Sequence, residues 1–246
     1  ASRLSSTPTR PAGIDRDPAR LLLKQQNGPL TEQTAKQLLS HYGVRVTREY
    51  LATSEEMAMA HWSNIKSPVA LKVVSPDILH KTEAQAIRLN LNSEESVTQA
   101  YRDIIAAALN YRAGAKIEGV LVQEMVGQSH EMFIGMVRDP TFGAVMTFGL
   151  GGIYVEVLKD LVFRLAPLSR HDILEALNEL HAMKLLQGVR GQAPADIDAL
   201  VDCIERVSWL AADCSDNIAE IDINPLCVLA AGQGVRVVDA LVIPSC

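Results

Sequence analysis

Two stretches of the sequence carry residue types that can do chemistry on phosphate. In Pro68–Leu91, PVALKVVSPDILHKTEAQAIRLNL, the apolar runs Val69-Ala70-Leu71 and Val73-Val74 flank one charge, Lys72. A lysine inside a strand is costly to bury unless something negative meets it. Pro76-Asp77 break the run, and His80-Lys81-Thr82-Glu83 follow before Ile87, Leu89 and Leu91 resume alternation. An imidazole and a second ammonium on one loop, with a strand lysine behind them, suit a polyphosphate. Taken alone, the same charges also describe a solvated hairpin loop. In the second stretch, Glu220-Ile221-Asp222-Ile223-Asn224, polar groups alternate with isoleucines and share one strand face. A turn centred on Ala231-Gly232 sets Asn224 opposite Asp239, with Asp222 two residues away on the same face. Oxygen donors so placed suit a hard divalent cation, and Mg²⁺ commonly completes its shell with phosphate oxygens and water. Alternation by itself is equally what a solvent-facing antiparallel strand shows.

Three weaker signals lie between these stretches. Gly149-Leu150-Gly151-Gly152 offers backbone amides that could hold an anion. Without a following lysine, though, it is neither a P-loop nor a dinucleotide fingerprint, and a tight turn explains it as well. Glu156, Asp160 and Arg164 read as a charged face. The apolar strand VLVQEMV ends in polar residues and can present backbone groups to an adenine edge, or simply fill a core.

The elements that must position these groups alternate helix and strand. Thr31 caps a helix to about His41, stopped by Gly43; Val44 to Leu51 reads as a strand. Thr53 and Glu56 form a capping box for a helix to about Asn64, and Ser93 caps a long one. Ile117 to Glu124 is a strand. Strands at Met132–Arg138, Phe142–Phe148 and Leu161–Leu165 precede helices opened by Ser169 and Asp196. A hairpin from Ile218 to Ile243 ends the chain. The prolines before residue 30 suggest a tail over residues 1–29, with lobes over 30–124 and 125–246.

Composition weighs against several classes. Across 246 residues, 48% hydrophobic and 21% charged content is ordinary for a globular protein. A net charge of −6 and 4% aromatics argue against a nucleic-acid surface. Cys203, Cys214, Cys227 and Cys246 have no metal-finger spacing and read as reduced cytosolic thiols. No apolar run approaches the roughly 18 residues of a membrane span, and the N-terminus has no signal-peptide core.

The lysine strand, SPDILHK, VLVQEMV, GMVRDPTFGAVMTFGLGGIYVEVLKD and EIDINPL occur in a telling order. Over about residues 30 to 243 the chain resembles the ATP-grasp β subunit or domain of ADP-forming acyl-CoA synthetases, relatives of succinyl-CoA synthetase. The resemblance implies an α+β ATP-grasp fold, two α/β lobes with the nucleotide bound between them. It implies a cytoplasmic ligase that makes acyl-CoA from a carboxylate, CoA and ATP, releasing ADP and phosphate through a phosphohistidine relay. The cofactors are ATP/ADP and Mg²⁺, and the partner is a CoA-binding α subunit or domain within an oligomer, with no nucleic acid or membrane involved. Alone, the chain is expected to be incompetent for the full reaction.

Carried over residue by residue, His80 resembles the phosphoacceptor, Lys72 the strand lysine on nucleotide phosphates, and Lys81 a further nucleotide contact. Gln123, Glu124, Met125 and Val126 match a hinge that reads adenine through backbone groups. Glu131 matches an acid near the ribose, and Asn224 and Asp239 match the Mg²⁺ ligands. One departure stands out: Ala84-Gln85-Ala86 replaces a small residue and two glycines that close over phosphate. Side chains at Gln85 and Ala86 restrict positive φ and crowd close backbone approach. That departure favours an alternative, a non-catalytic nucleotide-binding or regulatory module of a larger acyl-CoA or acyltransferase protein. A carboxylate–amine ligase would share the fold but has no use for His80. The choice of ATP over GTP stays open.

Overall fold

Period-two alternation and capped helices build two antiparallel sheets, each with helices on one face. The computed structural model describes residues 7–26, 28–78, 81–152, 160–188 and 193–245. The chain divides into two units: Thr47–Val126, and Ala1–Val46 together with Gly127–Cys246.

The unit Thr47–Val126 holds β1 (Glu49–Ala52), α3 (Glu55–Ile65), β2 (Val69–Val74), β3 (Ile87–Leu91), α4 (Glu94–Tyr111) and β4 (Gly119–Glu124), with sheet order β1-β4-β2-β3. Alternation turns Val69, Leu71 and Val73 of β2, with Val120 and Val122 of β4, into a core with Ala58 and Ile65 of α3 and Ile104 and Ala108 of α4. Ser93 opens α4 with the expected capping box. Ser54, rather than Thr53, caps α3 by accepting the Met57 N–H.

The β2–β3 connection closes through the Ala86 N–H to the Lys81 carbonyl (2.9 Å) and the Gln85 N–H to the Thr82 carbonyl (3.0 Å). Gln85 adopts φ 51°, the left-handed conformation that favours glycine. Ala86 does not, and its methyl is fully buried. So the expectation of strain at both positions holds for Gln85 and is corrected at Ala86.

In the other unit a six-stranded sheet runs β10-β8-β5-β6-β7, with β9 also on β8. Its strands are β5 (His130–Asp139), β6 (Gly143–Leu150), β7 (Leu161–Leu165), β8 (Ile218–Val228), β9 (Val235–Val237) and β10 (Ala240–Pro244). Met132, Ile134, Met136, Met146, Phe148, Ile221 and Ile223 pack one face against α5 (Arg170–Glu179) and α7 (Ile197–Asp213). Asp160, just before β7, accepts the N–H groups of His181 (3.0 Å) and Ala182 (2.8 Å), pinning the approach to α6 (Met183–Leu186). Its carboxyl is therefore more than a surface charge.

Two expectations are corrected. The stretch taken as a tail contains α1 (Arg16–Lys24), which buries Ala19 and Leu23 against α2 (Glu32–His41) and the core. Pro18 is tolerated because it sits in the first turn, where the backbone N–H has no helical partner. Arg10 and Arg16 converge on Asp213 (2.5 and 3.3 Å), which also accepts the Tyr42 hydroxyl (3.2 Å), while Arg10 lies over the Trp209 ring. The strand read over Val44–Leu51 is split: Val44 is in one core and Val46 bridges Val237, whereas β1 starts at Glu49 in the other unit. Among the described residues, no helix is long and apolar enough to cross a membrane.

Two predictions follow from local geometry. Gln85→Gly should stabilise the chain by roughly 0.5–1 kcal/mol, the left-handed penalty less glycine's extra chain entropy. Ala86→Gly should destabilise it by about 1 kcal/mol through the lost methyl burial; urea midpoints of the two variants would be compared. At Asp160, burial opposes ionisation, but the Ala182 and His181 N–H groups and the His181 ring outweigh it and hold the carboxyl below its usual range. A depressed carboxyl stabilises above the ordinary value and loses that contribution as pH falls through the folded one. Asp160→Asn should therefore cost about 1–2 kcal/mol at pH 7, and the gap from wild type should shrink as the pH drops below about 4.

Candidate functional site

The core-facing alternation in Thr47–Val126 leaves the opposite sheet face to polar groups. Lys72 pairs with Leu121 on β4 and Ile87 on β3, and Ala70 pairs with Gln123, which in turn faces Glu49 of β1. Lys72 is 8% exposed and Gln123 is 1% exposed, unusual burial for such groups. The Gln123 amide donates Nε2–H to Glu49 Oε2 at 2.8 Å, which fixes its orientation across the β1–β4 ladder. An ammonium held on this face is a fixed positive charge of the kind phosphoryl transfer depends on.

Strand β4 ends in the segment expected to read a base. The Met125 N–H donates to the Pro68 carbonyl (2.9 Å), and the Glu124 N–H donates to the Arg48 carbonyl (2.9 Å). The Arg48 N–H does not return to the Glu124 carbonyl. It goes to the Glu124 carboxylate (3.0 Å), which also takes Arg48 Nε–H at 2.6 Å. Arg48 is tied further by its guanidinium to the Ile65 carbonyl (3.1 Å).

In the other unit, five predicted or flanking residues form one continuous cluster. The Glu131 carbonyl accepts the Gly151 N–H (2.9 Å), and the Gly152 N–H donates to Asn224 Oδ1 (3.0 Å). The Asn224 N–H then donates to the Asp239 carbonyl (3.2 Å), the cross-strand pair that the hairpin turn implied. Gly152 has φ +60°, a conformation that favours glycine, and a Cβ there would displace the tip of the Glu131 side chain. The amides of Gly151 and Gly152 are thus engaged by protein groups, which corrects the reading of this turn as an open anion cradle.

Asp239 sits at the break between β9 and β10, where the second hairpin arm, expected as one strand, divides. Burial, then Glu220 and Asp239, push the Asp222 carboxyl above its usual range. Among the described residues no group of three or more His, Cys, Asp or Glu side chains gathers to hold a metal. Asn224 and Asp239 offer hard oxygens, and the Asn224 oxygen keeps a second lone pair beside the Gly152 N–H. That donor chemistry fits Mg²⁺ better than a softer ion.

The predicted residues therefore fall in two groups: Lys72, Lys81, Gln123, Glu124, Met125 and Val126 in one unit, and Glu131, Asn224 and Asp239 in the other. His80 and Glu156 lie outside the described residues. Arg48 and Glu49 were missed, because they join the hinge only through the β1–β4 pairing. The signal that could have found them is the alternation from Glu49 to Ala52 matched against GVLVQE.

Comparison with known proteins identifies the family. A family model described as an ATP-grasp domain matches residues 21–243. The β subunit of an ADP-forming acetate–CoA ligase II of Pyrococcus furiosus is 42% identical over 222 residues, covering 90% of this chain and 94% of that protein. An ADP-forming 4-hydroxybutyrate–CoA ligase of Nitrosopumilus maritimus is 39% identical over 88% of this chain, which spans only 31% of that longer protein. Among solved structures, an acetyl-coenzyme A synthetase 1 of Ca. Korarchaeum cryptofilum, in complex with coenzyme A and Ca-AMPCP, superposes with a TM-score of 0.86 at 41% identity. It covers 94% of this chain and 100% of the other. On these similarities this chain belongs to the ATP-grasp family, in the group of β subunits and domains of ADP-forming acyl-CoA ligases.

Proposed function

We propose that this chain is the nucleotide-binding part of an ADP-forming acyl-CoA ligase, working with a CoA-binding α subunit or domain in a cytoplasmic oligomer. The carrying observation is a buried strand lysine on the sheet whose strand β4 ends where the Glu124 and Met125 N–H groups turn to opposite neighbours. Relatives support the partner. The β subunit from Pyrococcus furiosus is matched nearly end to end, whereas the Nitrosopumilus ligase continues well beyond the matched part. The buried thiols Cys203, Cys214 and Cys227, all free, fit a reducing compartment.

In this reading Gln123 to Val126 read adenine, Lys72 and Lys81 meet the phosphates, and Glu131 serves the ribose. Asn224 and Asp239 would hold Mg²⁺, which neutralises phosphate charge when bound. His80 is the acceptor. Its neutral ring nitrogen attacks the γ-phosphorus, the bond from that phosphorus to the β–γ bridging oxygen breaks, and ADP leaves with the electron pair. The resulting N–P bond later breaks as the phosphoryl group moves on toward the carboxylate substrate, so one difficult transfer becomes two easier ones. Gln85 bears on the alternative of a regulatory module. It holds the left-handed conformation that a glycine would, so the loop after His80 closes despite the substitution.

The test is label transfer from γ-labelled ATP with Mg²⁺ to the chain in the presence of its CoA-binding partner. Wild type should take up acid-labile, base-stable label and His80→Ala none. Lys72→Met should cut the labelling rate by roughly 10²–10³-fold. Nucleotide binding without label, even with the partner present, would remove the catalytic reading and leave the regulatory one.

A further inference from the structure

In a regular antiparallel ladder, directly opposed residues of a hydrogen-bonded pair exchange two backbone hydrogen bonds. Arg48 and Glu124 occupy such a pair, one step beyond Glu49 and Gln123. One of the two bonds is made, from the Glu124 N–H to the Arg48 carbonyl. The other is diverted, because the Arg48 N–H is taken by Glu124 Oε1 at 3.0 Å instead of by the Glu124 carbonyl. The same carboxylate is fixed by Arg48 Nε–H at 2.6 Å, and Arg48 by the Ile65 carbonyl, so the diversion is built rather than incidental.

Strand parity gives the diversion its consequence. Successive residues point their backbone groups to alternate sides: the Met125 N–H turns toward Pro68 on β2's side, and that of Glu124 toward Arg48 on β1's side. Continuing the alternation, the Glu124 carbonyl and the Val126 N–H face one common side. An acceptor and a donor two residues apart match the 6-amino group and ring N1 of adenine. Guanine presents an oxygen and an N–H at those two positions, so both contacts would become like against like.

We propose that the Glu124 carboxylate, by capping the Arg48 N–H, keeps the Glu124 carbonyl open for the adenine 6-amino group, and so sets the chain for adenine over guanine nucleotides. This rests on the hinge reading given under the proposed function. Glu124 then acts twice, its carbonyl touching the base and its side chain serving as a positioning group. Without the cap, the Arg48 N–H would fall back on the carbonyl and compete with the adenine amino group for its lone pairs.

The test is calorimetric titration of the full chain with the Mg²⁺ complexes of ATP, GTP and purine riboside triphosphate, which lacks the 6-amino group. Wild type should bind ATP more tightly than either other nucleotide. Glu124→Ala should weaken ATP roughly fivefold to tenfold, the worth of one such hydrogen bond, and close most of its gap from the deaminated analogue. Glu124→Gln retains an oxygen for the Arg48 N–H and should restore most of that gap. Glu124→Met keeps the bulk without an acceptor and replaces the alanine variant if melting shows the latter unfolded. Equal weakening of ATP and the deaminated analogue by Glu124→Ala would mean a purely structural ion pair and overturn the proposal. Wild type that binds all three nucleotides equally, or none, would instead sink the hinge reading beneath it.

Discussion

Antiparallel pairing obliges each residue to point its N–H and C=O the same way, and the next residue to point them the opposite way. Each of the two groups of polar residues, one in each unit, hangs on that parity. At the end of β4 it sends Met125 to β2 and leaves the groups on either side of it turned toward β1. In the C-terminal hairpin it sets Asn224 against Asp239, and it puts Ile221 and Ile223 into the core while Asp222 between them faces the other way. A one-residue slip in either ladder would exchange core for site. The bulk of the apolar burial in each unit therefore also serves as a register lock for a few polar groups.

Local signals were legible where the physics is local. The hairpin register followed from a glycine turn and from alternation, and the Thr31, Ser93 and Ser169 caps followed from hydroxyls ahead of apolar periodicity. Lys72 and Asn224 stood out because a charge or amide inside a β-branched run asks for a reason. What stayed hidden depends on distant partners. Nothing near Arg48 or Glu49 in sequence announces Gln123 or Glu124, and loop closure between them is enforced by the whole of the intervening sheet and helices. α1 was obscured by its prolines, although its burial of Ala19 and Leu23 and the arginine clamp on Asp213 hold it firmly. The role of His80 came from family resemblance alone, since imidazole beside lysine is common on solvated loops.

Within the unit around the six-stranded sheet, buried ionisable groups are treated in different ways. Asp213 is nearly buried, yet it meets two arginines and a tyrosine hydroxyl, which compensates its desolvation. The Tyr42 phenol, by contrast, is pushed well above its usual range by burial, then by Cys214 and Asp213, and stays neutral. Asp160 is satisfied by backbone donors, and its exposed histidine neighbour adds little. The Asp222 carboxyl, by contrast, is pushed above its usual range by burial and then by Glu220 and Asp239.

The order of the units along the chain has a bearing on how the protein is made. Thr47–Val126 is continuous, but the unit around the six-stranded sheet is assembled from Ala1–Val46 and Gly127–Cys246, so one is an insertion within the other. During synthesis the inserted unit emerges whole and can close its four-stranded sheet while its host is still missing all six strands of its own. The host waits for its last strands: β8 is central to the sheet and β10, which carries the chain's end, closes its edge. α1, already made, has its aspartate anchor only when α7 arrives. Biosynthesis thus builds the strand that ends in Glu124 before the hairpin that carries Asn224 and Asp239.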